Sequence, residues 1–455
     1  MNKRGLLEGN VYKALIQFAI PFLLANLLQV MYGATDLIVV GHFAGTSDVS
    51  AVSIGSQVMS MVTQLVLGIS TGATVLLGHC YGAGRREDMA KTVGTAIWLF
   101  GGIAVFLTGL LLILRGGIIS IMNTPAEAVG ATGQYLLICT GGLVFIVAYN
   151  VISSLLRGLG DSRTPLLFVA VACVINIVLD VVLVDGFHMG AAGAATATVF
   201  AQACSVVFSF VFLKRRGLGF PFTARDVRFV PGFAARILGT GGPVGLQNGL
   251  VGISFLIITL IINRMGLVAS AAVGVVEKLI EFLMLPSVAF SAAVAAMAAQ
   301  NLGAGRADRA RSCMLGAIGC SIAFGAAVAV FCQIDGSLLT GLFTSDPAVA
   351  EAAAGYLKTY SLDCVLVAIV FNMNGFFNGS GYAAFAMAHS LTATFLVRIP
   401  ATMLLSRLEG VTLTTIGWAV PLSTLVSLLL CGGFFWRLGR KKNLGGNAYG
   451  HSALL

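Results

Sequence analysis

Residues 14–41 read ALIQFAIPFLLANLLQVMYGATDLIVVG, an apolar stretch that contains a single carboxylate, Asp36. A helix needs about 20 predominantly apolar residues to cross a bilayer, and this stretch supplies them. A charge at the centre of such a helix costs roughly 2.5–3.5 kcal/mol on insertion scales. The stretch therefore predicts a spanning helix in which Asp36 has either a function or a partner.

Comparable apolar stretches recur along the whole chain. Of its 455 residues 58% are hydrophobic and 10% are charged, whereas a soluble domain has about 25% charged residues. Long continuous apolar runs are typical of membrane helices and not of barrel strands. We predict an all-α polytopic membrane protein with twelve spans, at approximately residues 14–41, 48–79, 92–114, 130–156, 164–185, 190–213, 233–263, 268–299, 312–333, 350–377, 384–406 and 412–436.

The basic residues are distributed unequally between the two sides of these spans. The N-terminus, the even-numbered loops and the C-terminal tail hold 21 Lys and Arg residues, and the opposite loops hold four. This asymmetry predicts that both termini are cytoplasmic, in a cell membrane. It also explains the net charge of +9 without a nucleic-acid partner.

Short motifs recur at a nearly constant spacing of 221 or 222 residues. GAGR occurs at 82–85 and 303–306, and RGLGD at 157–161 corresponds to NGSGY at 378–382. Pro21 and Pro243 are related in the same way. Six helices are therefore repeated once in parallel orientation, which indicates a pseudo-two-fold axis along the membrane normal and a central cleft, as in transporters.

This repeat predicts the domain organisation. We expect an N-terminal six-helix lobe at 1–213, a basic cytoplasmic linker at 214–232, a C-terminal six-helix lobe at 233–437 and a cytoplasmic tail at 438–455.

Polar side chains of the first half fall on common helix faces. Asn26, Gln29 and Asp36 form one stripe of the first span beside Tyr32, and Asn176 and Asp180 are one turn apart in the fifth span. With the threonines of the sixth span, they predict an oxygen-rich pocket for a hard cation or a proton. The alternative is that each group only hydrogen-bonds a neighbouring helix.

The second half has a different set of polar groups, which are candidates to line the cleft. Glu277 and Glu281 are one turn apart and could attract cationic substrates, or Lys278 and Arg398 could neutralise them. The candidate set is Gln247, Asn248, Glu277, Glu281, Met284 and Arg398, together with Asn26, Gln29 and Tyr32 from the first span.

These motifs resemble those of the multidrug and toxic compound extrusion (MATE) transporters over essentially the whole chain. The similarity lies in PFLLANLLQVMYGATDLIVVGHFAG, the two GAGR loops, QNLGAGR and LRGLGDSRTP. It implies antiport of lipophilic organic cations against H⁺ or Na⁺, by alternating access of two lobes. It also implies a cation-coupling site, a metal site if the ion is Na⁺, at Asp36, Asn176, Asp180 and Thr198.

One departure bears on the branch of the family. A second cation site in the C-terminal lobe would use a carboxylate on the seventh helix, and GLVGISFLIITL has none there. This favours the DinF-like branch of bacterial members. Beyond the coupling ion we expect no cofactor, and we expect a monomer in the bilayer that binds small organic cations.

Two other functions remain as alternatives. A flippase for lipid-linked saccharides, from a related superfamily, would be expected to carry several cations in its cavity, and only Lys278 and Arg398 lie within the spans. An enzyme would need a nucleophile with a base or a metal constellation. The five histidines show no such spacing, so we predict that the chain is not an enzyme.

Overall fold

A computed structural model describes residues 6–344, 346–408 and 410–443, and within them the secondary structure is helical with no strand. The α-helices are α1 (Val11–Phe43), α2 (Thr46–Gly82), α3 (Arg86–Ile121), α4 (Val129–Gly141), α5 (Leu143–Gly158), α6 (Arg163–Asp180), α7 (Gly190–Arg216), α8 (Pro231–Asn263), α9 (Leu267–Gly303), α10 (Ala307–Gly341), α11 (Pro347–Gly379), α12 (Ala383–Leu391), α13 (Ile399–Leu405), α14 (Leu413–Gly417) and α15 (Ala419–Asn443).

The predicted twelve spans are confirmed, with one of them broken. In the described part of the chain, 11 helical stretches are long and apolar enough to cross a membrane, and the bent pair Ala126–Gly141 and Leu143–Gly158 makes up to 12. The pair bends by 48° at Gly142, where a Cβ would lie 2.4 Å from Val199 of α7. The fourth predicted span, 130–156, is therefore two helices that meet where α7 packs closely.

Two other spans contain a π-helical segment. Val181–Gly186 continues α6 as a π-helix, and Thr392–Arg398 joins α12 to α13 in the same way. A π-helical turn leaves the regular i→i−4 hydrogen-bond pattern, and such turns are frequent at functional sites. The apolar pattern of the sequence predicts these spans but not the π-helical segments, because one added residue does not alter mean hydropathy.

The two copies of GAGR adopt the same backbone conformation. Gly84 has φ +70° and Gly305 has φ +73°, the left-handed region that glycine adopts without steric cost. After each glycine, the backbone N–H of the arginine donates to a carbonyl oxygen of the preceding helix. Arg85 donates to Cys80 at 3.0 Å, and Arg306 donates to Asn301 at 2.7 Å. The repeat found in the sequence is therefore also a repeat of local structure.

The chain forms two compact units with separate apolar cores. The N-terminal unit comprises residues 20–245, and the C-terminal unit comprises residues 1–19 and 246–455. Both divisions fall inside a helix, next to Pro21 of α1 and Pro243 of α8. The compact units therefore do not coincide with the boundaries at 213 and 233, which stay a prediction about the sequence repeat.

Glycine contacts explain why the start of α8 belongs to the N-terminal unit. A Cβ on Gly72 of α2 would lie 2.0 Å from the Ile237 carbonyl oxygen, and one on Gly241 of α8 would lie 2.0 Å from the Ile69 carbonyl oxygen. Small residues allow helix backbones to approach this closely within a membrane. The first turns of α8 are consequently fixed against α2.

Arginine contacts hold the N-terminal segment in the C-terminal unit. The guanidinium of Arg309 donates to the carbonyl oxygens of Gly9 at 2.7 Å and Glu8 at 2.8 Å. Two helical turns further along α10, a Cβ on Gly316 would lie 2.6 Å from Cδ1 of the Tyr12 ring. The first turns of α1 are therefore fixed against α10.

The linker before α8 packs on α3. Trp98 donates from Nε1 to the Val227 carbonyl at 3.2 Å, and the Val230 N–H donates to Thr95 Oγ1 at 3.3 Å. Hydrogen bonds from Thr223 to the exposed Asp226 carboxylate lower the pKa of Asp226. Of the predicted tail at 438–455, α15 extends through Asn443, and residues 444–455 lie outside the described residues.

Candidate functional site

Two carboxylates are buried within the N-terminal unit, on α1 and at the end of α6. Asp36 is 3% exposed and Asp180 is fully buried. Thr198 of α7 donates from Oγ1 to Asp36 Oδ2 at 3.0 Å. The remaining oxygen of Asp36 and both oxygens of Asp180 have no hydrogen-bond partner in the described part of the chain. Three buried acceptor atoms are therefore available for a ligand.

The residues around this pair are the ones predicted from the sequence. Asn176, one turn before Asp180 and fully buried, lies with Asp180 beside the Asp36 carboxyl group. Neither polar atom of its side chain has a partner among the described residues. The structure thus brings Asp36, Asn176, Asp180 and Thr198 together, and we call these four side chains the acidic site.

Tyr32 and the start of α7 position the hydroxyl that faces Asp36. Tyr32 lies one turn before Asp36, and its hydroxyl donates to the Thr198 carbonyl oxygen at 3.1 Å. Thr196, by contrast, donates to the Ala192 carbonyl of its own helix at 2.8 Å. Of the two threonines, only Thr198 contributes its hydroxyl to the acidic site.

The composition of the acidic site determines what it can bind. Two ionised carboxylates at low dielectric repel each other strongly, and no Lys or Arg of the described chain is ion-paired with either. A proton shared between them, or a cation coordinated by both, removes this repulsion. Carboxylate, amide and hydroxyl oxygens are hard ligands, so the residues present fit either H⁺ or Na⁺ chemically.

Tyr135 and Cys139 of α4 complete the surroundings of the acidic site and were not among the predicted site residues. Both are buried and lie within electrostatic range of Asp36. In the sequence, Tyr135 could have been found from its recurrence as Tyr356 in the second half. Asp180 also lies at the junction of α6 with a π-helical turn, for which the sequence held no signal.

The other candidates on α1 and α8 are half-buried. Asn26 and Gln29 lie on α1 about three and two turns before Asp36, and Gln247 and Asn248 follow the proline of α8. Met284 of α9 packs against the apolar core of the C-terminal unit. The locations of these side chains do not test their predicted role in lining a substrate cleft.

The acids of α9 have different environments. Glu281 is exposed and forms an ion pair with Lys278 at 3.4 Å, while Glu277 is half-buried. Lys278 therefore neutralises Glu281, as one of the two sequence interpretations expected. An exposed pair of this kind contributes about 0–1 kcal/mol.

Arg398, in contrast, is buried and makes no ion pair with any described carboxylate within 4.0 Å. It is 8% exposed and ends the π-helical segment after α12. Its Nη2 donates to the Tyr360 hydroxyl at 3.3 Å, and its guanidinium carbon lies 4.6 Å from the ring centroid of Phe255. The described residues therefore show no direct pairing of Arg398 with an acid, which was one of the two interpretations of the sequence.

The C-terminal unit also contains a buried polar network that no motif in the sequence predicts. His389 Nε2 lies 2.7 Å from Asn374 Oδ1, and His389 Nδ1 lies 2.7 Å from Ser427 Oγ. Since an amide oxygen can only accept, Nε2 carries the proton and Nδ1 accepts from Ser427. This network joins α11, α12 and α15, and both ring nitrogens are satisfied.

Comparisons with known proteins agree with the two-repeat architecture. The family model MatE matches residues 21–182 and 243–404. The chain is 29% identical over 438 residues to the probable multidrug resistance protein YpnP of Bacillus subtilis, covering 96% of this chain and 97% of that protein. It is 26% identical over 399 residues to the probable multidrug resistance protein NorM of Thermotoga maritima, covering 86% and 84%.

Solved structures share the fold. A MATE protein crystallised in the bent conformation matches with a TM-score of 0.91 at 21% identity, over 98% of this chain and 99% of that chain. A MATE family transporter in the outward-facing conformation matches with a TM-score of 0.89 at 21% identity, over the same shares.

The repeat spacing indicates which residues correspond between the two halves. The matched segments begin and end 222 residues apart, whereas RGLGD and NGSGY, just before α6 and α12, are 221 apart, so Asp36 corresponds to Ile258 and Asp180 to Ala401 or Thr402. Ile258 is 2% exposed in an apolar core, and Thr402 donates to the Arg398 carbonyl at 2.8 Å. The acid pair of the N-terminal unit is therefore not repeated at the corresponding positions.

Proposed function

Because this chain belongs to the MatE family of membrane transporters, we propose that it is an antiporter that exports lipophilic organic cations in exchange for H⁺ or Na⁺. The names of its relatives YpnP and NorM, as probable multidrug resistance proteins, support the export of drugs. The distribution of basic residues supports cytoplasmic termini.

The observation that carries the coupling proposal is the acidic site. Burying two carboxylates with three unpartnered oxygens is unfavourable unless a proton or a cation accompanies them. Intramembrane acids of this kind commonly mark ion pathways. We therefore assign ion coupling to Asp36, Asn176, Asp180 and Thr198.

The proposed cycle follows from differential affinity. An ion shifts a conformational equilibrium only by as much as it prefers one state over the other. On the outer side, Asp36 and Asp180 take up the ion, α1 rearranges, and the organic cation loses affinity and leaves. After the return step the ion is released to the cytoplasm.

The test is transport by purified protein in proteoliposomes with Na⁺ and proton gradients imposed separately. Ethidium export should respond to one gradient in the wild type and fall to the protein-free level in Asp36→Asn. The matched control is Asp185→Asn, which neutralises an exposed acid one turn after Asp180 and should transport as the wild type does. Ethidium binding by Asp36→Asn, measured by fluorescence anisotropy, establishes that this variant is folded.

Two outcomes would count against the proposal. Export by Asp36→Asn at the wild-type rate under the same gradient would remove Asp36 from coupling. Displacement of bound ethidium by a lipid-linked saccharide, with no gradient-driven ethidium export, would favour the flippase alternative.

A further inference from the structure

Arg398 is the single buried Lys or Arg of the described C-terminal unit. The coupling proposal does not use it. A guanidinium has five N–H donors in a planar fork, and it remains charged in proteins. Only one of these donors has a described partner, the hydroxyl of Tyr360, and Nε is buried without any. A charge in this state is costly within a membrane, so its retention calls for a ligand.

Two aromatic rings lie within cation–π distance of the guanidinium. Phe255 of α8 lies 4.6 Å from the guanidinium carbon and Tyr360 of α11 lies 5.8 Å from it, each measured to the ring centroid. Cation–π contacts of this kind attract a guanidinium to the faces of aromatic rings. Nε of Arg398 remains an unsatisfied donor beside these rings.

Two acids lie near Arg398 without contacting it. Asp363 and Glu277 are within electrostatic range of the guanidinium, but neither carboxylate comes within ion-pair distance, 4.0 Å, in the described structure. Asp363 instead faces Thr424 of α15. The donor edge of Arg398 is therefore not occupied by either acid.

We propose that Arg398 binds the carboxylate of aromatic substrates through its Nε edge while the rings of Phe255 and Tyr360 contact the aromatic part of the substrate. The fork of a guanidinium matches a carboxylate with two parallel hydrogen bonds. This inference rests on the proposed function, because it adds zwitterionic aromatic compounds to the cationic substrates of the same transporter. The carboxylate is recognised in the C-terminal unit and the coupling ion in the N-terminal unit.

The experiment uses two fluorescent dyes that differ only at one carboxyl group. Rhodamine 110 carries a free carboxylate, and rhodamine 123 is its methyl ester, so the first is a zwitterion and the second a cation. The Kd of each dye for the purified full-length protein is measured by fluorescence anisotropy. Arg398→Gln should raise the Kd of rhodamine 110 about ten- to hundredfold, since it removes a charge-assisted hydrogen-bonded pair, and leave that of rhodamine 123 within about twofold.

Three further variants complete the test. Arg398→Lys retains the charge but loses the fork, and should still raise the Kd of rhodamine 110 about tenfold. Lys278→Gln removes an exposed positive charge from the same unit and should change neither Kd. Asp363→Asn removes a nearby negative charge and should leave rhodamine 110 bound at least as tightly as in the wild type.

The outcomes separate this inference from the proposed function. Unchanged rhodamine 110 binding in both Arg398 variants, or an equal loss of both dyes, would overturn the carboxylate site while rhodamine 123 still reports on cation binding. A loss in Asp363→Asn as large as in Arg398→Gln would also overturn it, by showing a structural ion pair. A wild type that binds rhodamine 110 but not rhodamine 123 would instead count against the proposed export of cations.

Discussion

The two compact units bury different charged groups. The N-terminal unit buries Asp36 and Asp180 without a basic partner, and the C-terminal unit buries Arg398 without an ion-paired acid. At the positions of the two aspartates the C-terminal unit has Ile258 and either Ala401 or Thr402, so neither acid is repeated. The N-terminal unit thus contains the proposed ion-coupling site, and the C-terminal unit contains the proposed carboxylate site.

Each unit includes the first turns of one helix whose remainder belongs to the other unit. The two units hold these first turns in different ways. The N-terminal unit holds the start of α8 through backbone contacts at Gly72 and Gly241. The C-terminal unit holds the start of α1 through the guanidinium of Arg309 and the ring of Tyr12. The first mode depends on close backbone approach at two glycines, and the second depends on side chains, the guanidinium of Arg309 and the ring of Tyr12.

The largest effect is expected from placing an acid in the C-terminal unit, at the position that corresponds to Asp36. Ile258→Asp puts a carboxylate into an apolar core with no site built around it, so we expect a loss of at least about 2.5–3.5 kcal/mol of stability. Ile258→Val, which should cost about 0.5–1.5 kcal/mol, is the control. Thermal unfolding of the purified variants measures both, and equal Tm values would show that the C-terminal unit tolerates the acid.

A smaller effect is expected from removing the hydroxyl that serves Asp36. Thr198→Val keeps the side-chain shape but removes the donor to Asp36 Oδ2, and a hydrogen bond to a charged group is worth about 1.5–3 kcal/mol. The ion concentration for half-maximal ethidium export should change about ten- to hundredfold. Thr198→Ser retains the donor and should stay close to the wild type. If Thr198→Ser shifted as far as Thr198→Val, packing and not the hydroxyl would be responsible.

The smallest effect is expected at the contact between α8 and α2. Gly241→Ala places a methyl group 2.0 Å from the Ile69 carbonyl oxygen, and overpacking of this kind costs about 1–3 kcal/mol. Gly239→Ala, two residues earlier on the same helix and facing open space, is the matched control. A lower Tm for Gly241→Ala alone would support the close contact, and the same Tm for both variants would contradict it.

The fold and most of the acidic site follow from the sequence because both depend on strong local signals. Apolar runs of spanning length predict the spans, and the one-turn spacing of Asn176 and Asp180 places both on one face of α6. The break at Gly142 could not be predicted, since it depends on contact with Val199 of α7. The same holds for the π-helical turns beside Asp180 and Arg398.

The partners of buried charges in the C-terminal unit could not be predicted either. From the sequence, Lys278 and Arg398 were equivalent candidates to neutralise Glu277 or Glu281. In the structure Lys278 pairs with Glu281 because they are three residues apart on one helix. Arg398 reaches across to Phe255 and Tyr360 on two other helices, and such a contact depends on tertiary packing that no spacing along the chain encodes.

The position of the unit boundaries inside α1 and α8 has a consequence for biosynthesis. The N-terminal unit extends to residue 245, so the groove formed by Gly68 and Gly72 on α2 stays unfilled until the ribosome has made the linker and the start of α8. The C-terminal unit needs residues 6–19, which are made first and must wait for α10. Neither half can therefore complete its packing before synthesis of the other has begun, and a split between spans six and seven would leave each fragment without a helix start that it needs.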